Sequence, residues 1–298
     1  MDCRVEKDGL DYQGFIIRPP SEANSIILQV TVGCSHNKCT FCGTYKGVRF
    51  RIKNQETVLQ DLAFAARYMR RQDRLFVCDG DGLILPQARL VWLLEEIRRQ
   101  LPWVRRVGLY ANAKSIGLKS DEELAEARRL GLGIVYLGVE TGEDELLKKI
   151  NKGATAQNLI QQGRRVMAAG MKLSVTVLNG LAGPEGSLEH ARATGRLLTE
   201  MDPDYVGALT LMLIPGTPLG EAARRGEFEL PGPLDMLSEL REMISATELS
   251  RGLFFANHAS NYVPIKVRYP GGKEAALELL DRALSGRVGL KPEWLRAL

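Results

Sequence analysis

The chain has 298 residues, 45% of them hydrophobic and 26% charged, with a formal net charge of +4. A chain of this length buries about three quarters of its unfolded surface, so an enzyme-sized core is within reach, and the ordinary composition excludes a disordered or low-complexity polypeptide. No run approaches the ~18 to 20 apolar residues that span a bilayer, MDCRVEKDGL lacks the apolar stretch of a secretory signal, and the basic residues are spread along segments such as RYMRRQDR, so a cytoplasmic chain is expected, with no membrane partner and no indication of nucleic acid.

Apolar, β-rich runs alternate with amphipathic helical segments, the pattern of βα units around a parallel sheet. In chain order the strands are expected at 25–32, 74–78, 106–112, 133–139, 172–178, 205–213 and 253–257. Their starts are far enough apart for one strand plus its crossover helix, which needs roughly 30 residues. Between them, Ser120 with Glu123 forms a capping box and Gly131 a C-terminal stop, and Thr155 and Gly170 frame the next helix similarly. Strands read as continuous Val/Ile/Leu runs, so both sheet faces are covered. The fold class is α/β, a partial or full (β/α) barrel of about six or seven parallel strands, with a flat doubly wound sheet as runner-up. No Pro/Gly/Ser-rich linker divides the chain; one domain over 1–298 is expected, its core at about 25–215 and a C-terminal extension at about 216–298.

The densest chemical signal is GCSHNKCTFCGTYKG, directly after the first strand, where Cys34, Cys39 and Cys42 have C-x4-C-x2-C spacing. Three thiolates on a cubane leave one iron corner without a protein ligand, and an incomplete ligand set is where a small molecule binds. The alternative is a structural zinc site with His36 or Cys78 as fourth ligand. His36 follows Cys34 too closely for the usual ligand spacings, and no second C-x2-C pair is present. Cys3 and Cys78 are too few to hold an auxiliary cluster.

Three close cysteines after the first strand of a βα barrel, with Phe41 just before the last, resemble the radical S-adenosylmethionine (SAM) superfamily. Most members have C-x3-C-x2-C; the first gap here is one residue longer, as in some subgroups. The resemblance extends over about 25–215 and implies a [4Fe-4S] cluster on Cys34, Cys39 and Cys42, with SAM as cofactor. By the same resemblance CDGDGLIL occupies the segment that binds the methionine amino group, which makes Asp79 and Asp81 candidates; a pair of Asp-Gly turns explains the same letters. Asn112 and Ser115, after the third strand, are candidate cofactor contacts or ordinary loop residues. YLGVETGEDELLKKINKG is similar to the Gly-Val-Glu-Ser-Gly stretch of the branch containing oxygen-independent coproporphyrinogen oxidases and Elongator-type enzymes, which assigns Glu140 to the SAM ribose. LMLIPGTPLG matches the same branch and implies that Leu213 and Ile214 lie beside the adenine, although a Pro-Gly turn is the plainer reading. VLNGLAGPEGS has glycines that let a ligand approach but lacks the ending of a phosphate-binding loop.

Beyond the sixth strand the resemblance thins. His258, Ser260, Asn261 and Tyr262 follow an apolar run and are candidate substrate contacts if that run is a seventh strand. Lys46, Arg49, Arg51 and Lys53 read as a solvated face or as contacts to an anionic substrate. The resemblance implies one-electron cleavage of SAM to a 5′-deoxyadenosyl radical that abstracts hydrogen from a small-molecule substrate. An external donor such as flavodoxin or ferredoxin supplies the electron. Modification of tRNA or another macromolecule, and a non-catalytic zinc protein, are the alternatives.

Overall fold

The computed structural model describes residues 9–297, so Cys3 lies outside the described residues. The strands in chain order are β1 (Ile26–Gln29), β2 (Thr31–Val32), β3 (Arg51–Ile52), β4 (Arg74–Cys78), β5 (Arg106–Ala111), β6 (Leu132–Glu140), β7 (Lys172–Asn179), β8 (Tyr205–Thr210), β9 (Gly252–Ala256) and β10 (Ile265–Tyr269). The helices are α1 (Gln55–Tyr68), α2 (Gln87–Gln100), α3 (Ala113–Gly117), α4 (Asp121–Arg129), α5 (Asp144–Lys149), α6 (Ala156–Ala168), α7 (Gly183–Met201), α8 (Pro218–Arg224), α9 (Pro233–Ser245) and α10 (Lys273–Leu284). Eight strands form one mostly parallel sheet in the linear order β1-β4-β5-β6-β7-β8-β9-β10, the α/β arrangement of successive βα units. Among the described residues no helix is long and apolar enough to cross a membrane.

The chain resolves into two compact units. The first comprises the residues through Asn37, Gly47–Tyr136 and Ala168–Met171. Its core is Leu28, Leu62, Leu75, Phe76, Leu90, Leu93, Leu94, Ile97 and Leu109, all buried. The α2 residues among these recur at three- and four-residue steps, which puts them on one face of the helix. Ser120 and Glu123 close the expected capping box at α4, and Gly131 ends that helix with a positive φ of 111°.

The second unit comprises Lys38–Lys46, Leu137–Met167 and Lys172–Leu298. Val175 and Val177 of β7, Val206 of β8 and Phe254 of β9 are buried, while the alternate positions along β8 and most of β7 are only half-buried, so here one sheet face is covered more completely than the other, unlike the expectation of two covered faces. α9 buries Met236, Leu237, Leu240, Met243 and Ile244.

Three expectations about strands are corrected. The first strand does not run through 25–32: it breaks at Val30, and Thr31–Val32 turn away to pair antiparallel with Arg51–Ile52. The sixth ends at Thr210 and not 213, because its partner β7 ends at Asn179, opposite Thr210. Leu211 N–H still donates to Asn179 O at 2.9 Å, after which Leu213 and Ile214 lie outside the sheet. β10 is an unforeseen antiparallel edge strand, in which Ile265, Val267 and Tyr269 face inward and Lys266 and Arg268 face solvent.

Candidate functional site

The expected site residues fall into two sets, one in each unit. In the first unit, the chain leaving β2 meets the end of β4. Asp79, held at a φ of 69° that Asp adopts more readily than most residues, turns its carboxylate back onto the cysteine segment. Its Oδ2 accepts the Gln29 amide at 2.7 Å and Gly33 N–H at 3.3 Å, while Gly80 N–H donates to Gly33 O at 3.2 Å. The fit is close enough that a Cβ on Gly80 would stand 2.6 Å from Cβ and 3.0 Å from Sγ of Cys34. Asp79 is thus engaged in holding the backbone that carries Cys34.

Asp81 differs. It is fully buried; Oδ2 accepts the Ser35 hydroxyl at 2.5 Å and the Asn112 amide at 2.8 Å, whereas Oδ1 has no hydrogen-bond partner. Burial pushes its carboxyl up to about 6, against the opposing pull of Ser35, Ser115, the nearby Ile84 backbone N–H and Asn112. Asn112 also caps α3, accepting Ser115 N–H at 2.9 Å, and Ser115 Oγ accepts Asn112 N–H at 3.1 Å. The capping box therefore aims the Asn112 amide at Asp81. A buried carboxylate with one oxygen unsatisfied, next to the residue that follows a cysteine, is a receptor for a cationic donor such as an ammonium group.

In the second unit, Thr40 N–H donates to Ile150 O at 2.9 Å and Leu219 N–H to Thr40 O at 3.0 Å, which ties the Cys39–Cys42 segment to the ends of α5 and α8. Phe41 and Leu213 pack against an apolar cluster of Leu146, Ile150, Leu178, Leu181, Leu211, Leu219 and Phe228. Ile214 lies over Gly43, where a Cβ would come within 2.6 Å of its Cγ2. Glu140 ends β6 with a φ of 68° and pairs with Lys152 Nζ at 2.7 Å. Gly138, two residues earlier on the same strand face, leaves room for this pair, since a Cβ there would reach 2.5 Å from Glu140 Oε1 and 2.8 Å from Lys152 Nζ. Lys152 escaped the sequence reading, which treated NKG only as the continuation of the Glu140 motif.

The four residues after β9 are largely engaged internally. Ser260 Oγ accepts Thr210 N–H at 3.1 Å, Asn261 bonds Thr210 Oγ1 and Ala208 O, and the Tyr262 hydroxyl donates to Glu293 at 2.8 Å, which with burial raises it to about 12. His258 Nδ1 sits 2.9 Å from Ser260 Oγ, and burial with Lys291 nearby lowers its basicity. Of the basic run, Lys53 is buried between Asp11 and Asp61, and Arg51 is exposed on β3.

The four described cysteines are thiols and not disulfides. Among the described residues no three His, Cys, Asp or Glu side chains converge as a single metal ion would require. Cys78, the distant candidate for a fourth zinc ligand, has its thiol pushed far up by burial and by neighbouring Asp79, so it is a poor thiolate ligand. Three thiolates bound to separate iron corners do not converge on one point. With Cys78 withheld as a thiolate, the three cysteines of the loop have the donor set of a cubane with one open iron corner.

The heme chaperone HemW of Bacillus subtilis is 23% identical over 180 residues, 60% of this chain and 47% of that protein. A tRNA uridine(34) acetyltransferase of Methanocaldococcus infernus is 29% identical over 112 residues, 37% of this chain and 21% of that protein. The chain thus spans about half the length of the first relative and a fifth of the second. Coproporphyrinogen III oxidase from Escherichia coli has the same fold at a TM-score of 0.55 with 18% identity, over 74% of this chain and 51% of that one. Methylornithine synthase aligns at 0.54 with 19% identity, over 76% and 63%. The sequence pattern of the Radical SAM superfamily matches residues 28–198, more than half of the chain. The chain belongs to the radical SAM superfamily and is an enzyme of that class, with a [4Fe-4S] cluster and SAM as its cofactors.

Proposed function

We propose that this enzyme holds its cluster on Cys34, Cys39 and Cys42, binds SAM through Asp81 and Glu140, and acts on a small-molecule substrate. When bound, the cluster and SAM would supply one-electron radical chemistry for removing hydrogen from substrate. The observation that carries the reading is the unpartnered Oδ1 of buried Asp81, whose side chain bonds Ser35, next in sequence to Cys34. A methionine ammonium group satisfies that oxygen and restores the carboxylate to its charged form. Asp79 serves the loop and not the cofactor, since its bonds go to Gln29 and Gly33. Glu140 accepts from the ribose hydroxyls, charge-assisted bonds worth roughly 1.5 to 3 kcal/mol each, while Lys152, 2.7 Å from its Oε1, fixes the direction of the carboxylate. Leu213 and Ile214 offer an apolar surface to the adenine. Phe41, Asn112 and Ser115 support these groups from behind.

A small-molecule substrate is favoured over tRNA because many exposed arginines are neutralised by acids. Arg99 pairs with Glu96, Arg192 with Glu242, Arg225 with Glu227 and Arg241 with Asp281, which leaves them poorly suited to a phosphate track. Of the residues after β9, His258 is the one we retain as a substrate contact. The electron comes from an external donor, and we assign a flavodoxin or ferredoxin of a reducing cytoplasm.

The test is anaerobic reconstitution with iron and sulfide, then electron paramagnetic resonance of the reduced protein with and without SAM, with 5′-deoxyadenosine measured in the same sample. A four-iron signal perturbed by SAM, with deoxyadenosine formed, is expected, and Cys42→Ala should lose both. Stoichiometric zinc with no cluster overturns the reading.

A further inference from the structure

Behind the Glu140 turn lies a buried polar chain that the site so far does not use. Glu239 of α9 and His190 of α7 are both fully buried. Glu239 Oε1 accepts Gly180 N–H at 2.6 Å and Oε2 accepts the Ser187 hydroxyl at 2.5 Å. Oε1 also stands 3.3 Å from His190 Nε2, a nitrogen with no hydrogen bond of its own. On the other side of the ring, His190 Nδ1 is 2.8 Å from Thr141 Oγ1. Thr141 Oγ1 accepts Glu143 N–H at 3.0 Å, so its proton is available to Nδ1, which leaves the ring proton on Nε2, facing Glu239. In parallel, Gly142 N–H donates to Thr194 Oγ1 at 3.0 Å, and that hydroxyl donates to His190 O at 2.7 Å.

The two hydroxyls beside His190, those of Thr141 and Thr194, hold the turn that follows Glu140. A glutamate at a φ of 68° is strained, and such a residue persists only where its surroundings over-determine it. Here the N–H groups of Gly142 and Glu143 end on the Thr194 and Thr141 hydroxyls, which stand beside His190, while Thr141 N–H turns back to Val139 O at 2.9 Å. A buried carboxylate is costly to keep where an apolar side chain could fill the space. The bonds Glu239 makes to Gly180 N–H and the Ser187 hydroxyl offset that cost at the end of β7, and its Oε1, 3.3 Å from His190 Nε2, faces the ring whose other nitrogen meets Thr141 after β6. Glu239 also lies outside residues 28–198, the part of the chain that matches the superfamily pattern.

We propose that Glu239 is a positioning residue for the nucleoside end of SAM, acting through His190 and Thr141 to hold Glu140 in its left-handed conformation. This rests on the reading that Glu140 binds the ribose. The test is the SAM concentration that half-perturbs the reduced cluster signal in the reconstituted enzyme, measured for wild type, Glu140→Gln, Glu239→Gln, Thr141→Val and the Glu239→Gln/Thr141→Val pair. Glu239→Gln and Thr141→Val should each raise that concentration roughly ten- to hundredfold, the usual effect of losing an outer-shell partner. Iron content and the SAM-free cluster signal should stay as in wild type. The double variant should be no worse than the poorer single one, as for residues acting along one path. If Glu140→Gln leaves SAM binding unchanged, the underlying reading of Glu140 fails. If Glu140→Gln weakens binding while Thr141→Val and Glu239→Gln do not, or if the two effects simply add, the positioning role is wrong and Glu140 keeps its own. Should Glu239→Gln fail to fold, Thr141→Val, which removes one hydroxyl, decides the matter by the same readout.

Discussion

Asp81 and Asp79 are separated by one glycine and do opposite work. Asp79 spends its carboxylate on the backbone around Gly33, whereas Asp81 is left with one oxygen unsatisfied and a carboxyl raised to about 6 by burial. The sign of the consequence follows from proton counting. Between about pH 4 and 6 the folded protein holds a proton on Asp81 that the unfolded chain has released, so stability is lost as pH rises through that window. Two pKa units correspond to a loss on the order of 3 kcal/mol by pH 7. Urea unfolding of the cluster-free protein from pH 4 to 7.5 should show wild type losing this stability relative to Asp81→Asn. The substituted enzyme, once reconstituted, should bind SAM at least about tenfold more weakly. Equal pH slopes for the two proteins would remove the burial argument. The sequence identified both aspartates as candidates, but nothing in CDGDG distinguishes them, because the difference lies in which one meets Gln29 and which meets Ser35 and Asn112, residues remote in the chain.

At the level of elements, local chemistry was highly legible. The capping box at Ser120, the stop at Gly131 and the Thr155 cap, where Asn158 N–H donates to Thr155 Oγ1, are all formed, since each depends only on residues a few positions apart. Ser120→Ala should cost about 1 kcal/mol and lower the melting temperature by about 2 °C, with SAM affinity unchanged, as checked by calorimetry and by the cluster titration. A change in affinity would mean that α4 is coupled to the site. What failed was strand length. The breaks at Val30 and after Thr210 follow from where the partner strand ends, and an apolar run such as LTLML gives no sign of it.

For the molecule as a whole, the C-terminal segment is part of the fold's stability and not an appendage. α9 alone buries five large apolar side chains, Met236, Leu237, Leu240, Met243 and Ile244. At roughly 1.5 to 3 kcal/mol each they supply on the order of 10 kcal/mol, comparable to the ~5 to 15 kcal/mol net stability of a domain. A chain ending at Leu230 should therefore be insoluble or molten by circular dichroism and unable to take up a cluster; a soluble, cooperatively melting product would show the core to be autonomous. The sequence by itself determined the class: the cysteine spacing, the Glu140 motif and the βα rhythm are local patterns, written in residues close together in the chain. The tertiary structure decided which acid is spent and which is left open, that Lys152 pairs with Glu140, and that Glu239, about a hundred residues downstream, stands 3.3 Å from the His190 ring that meets Thr141. Those are contacts between residues far apart in sequence, set by how strand ends and helices pack.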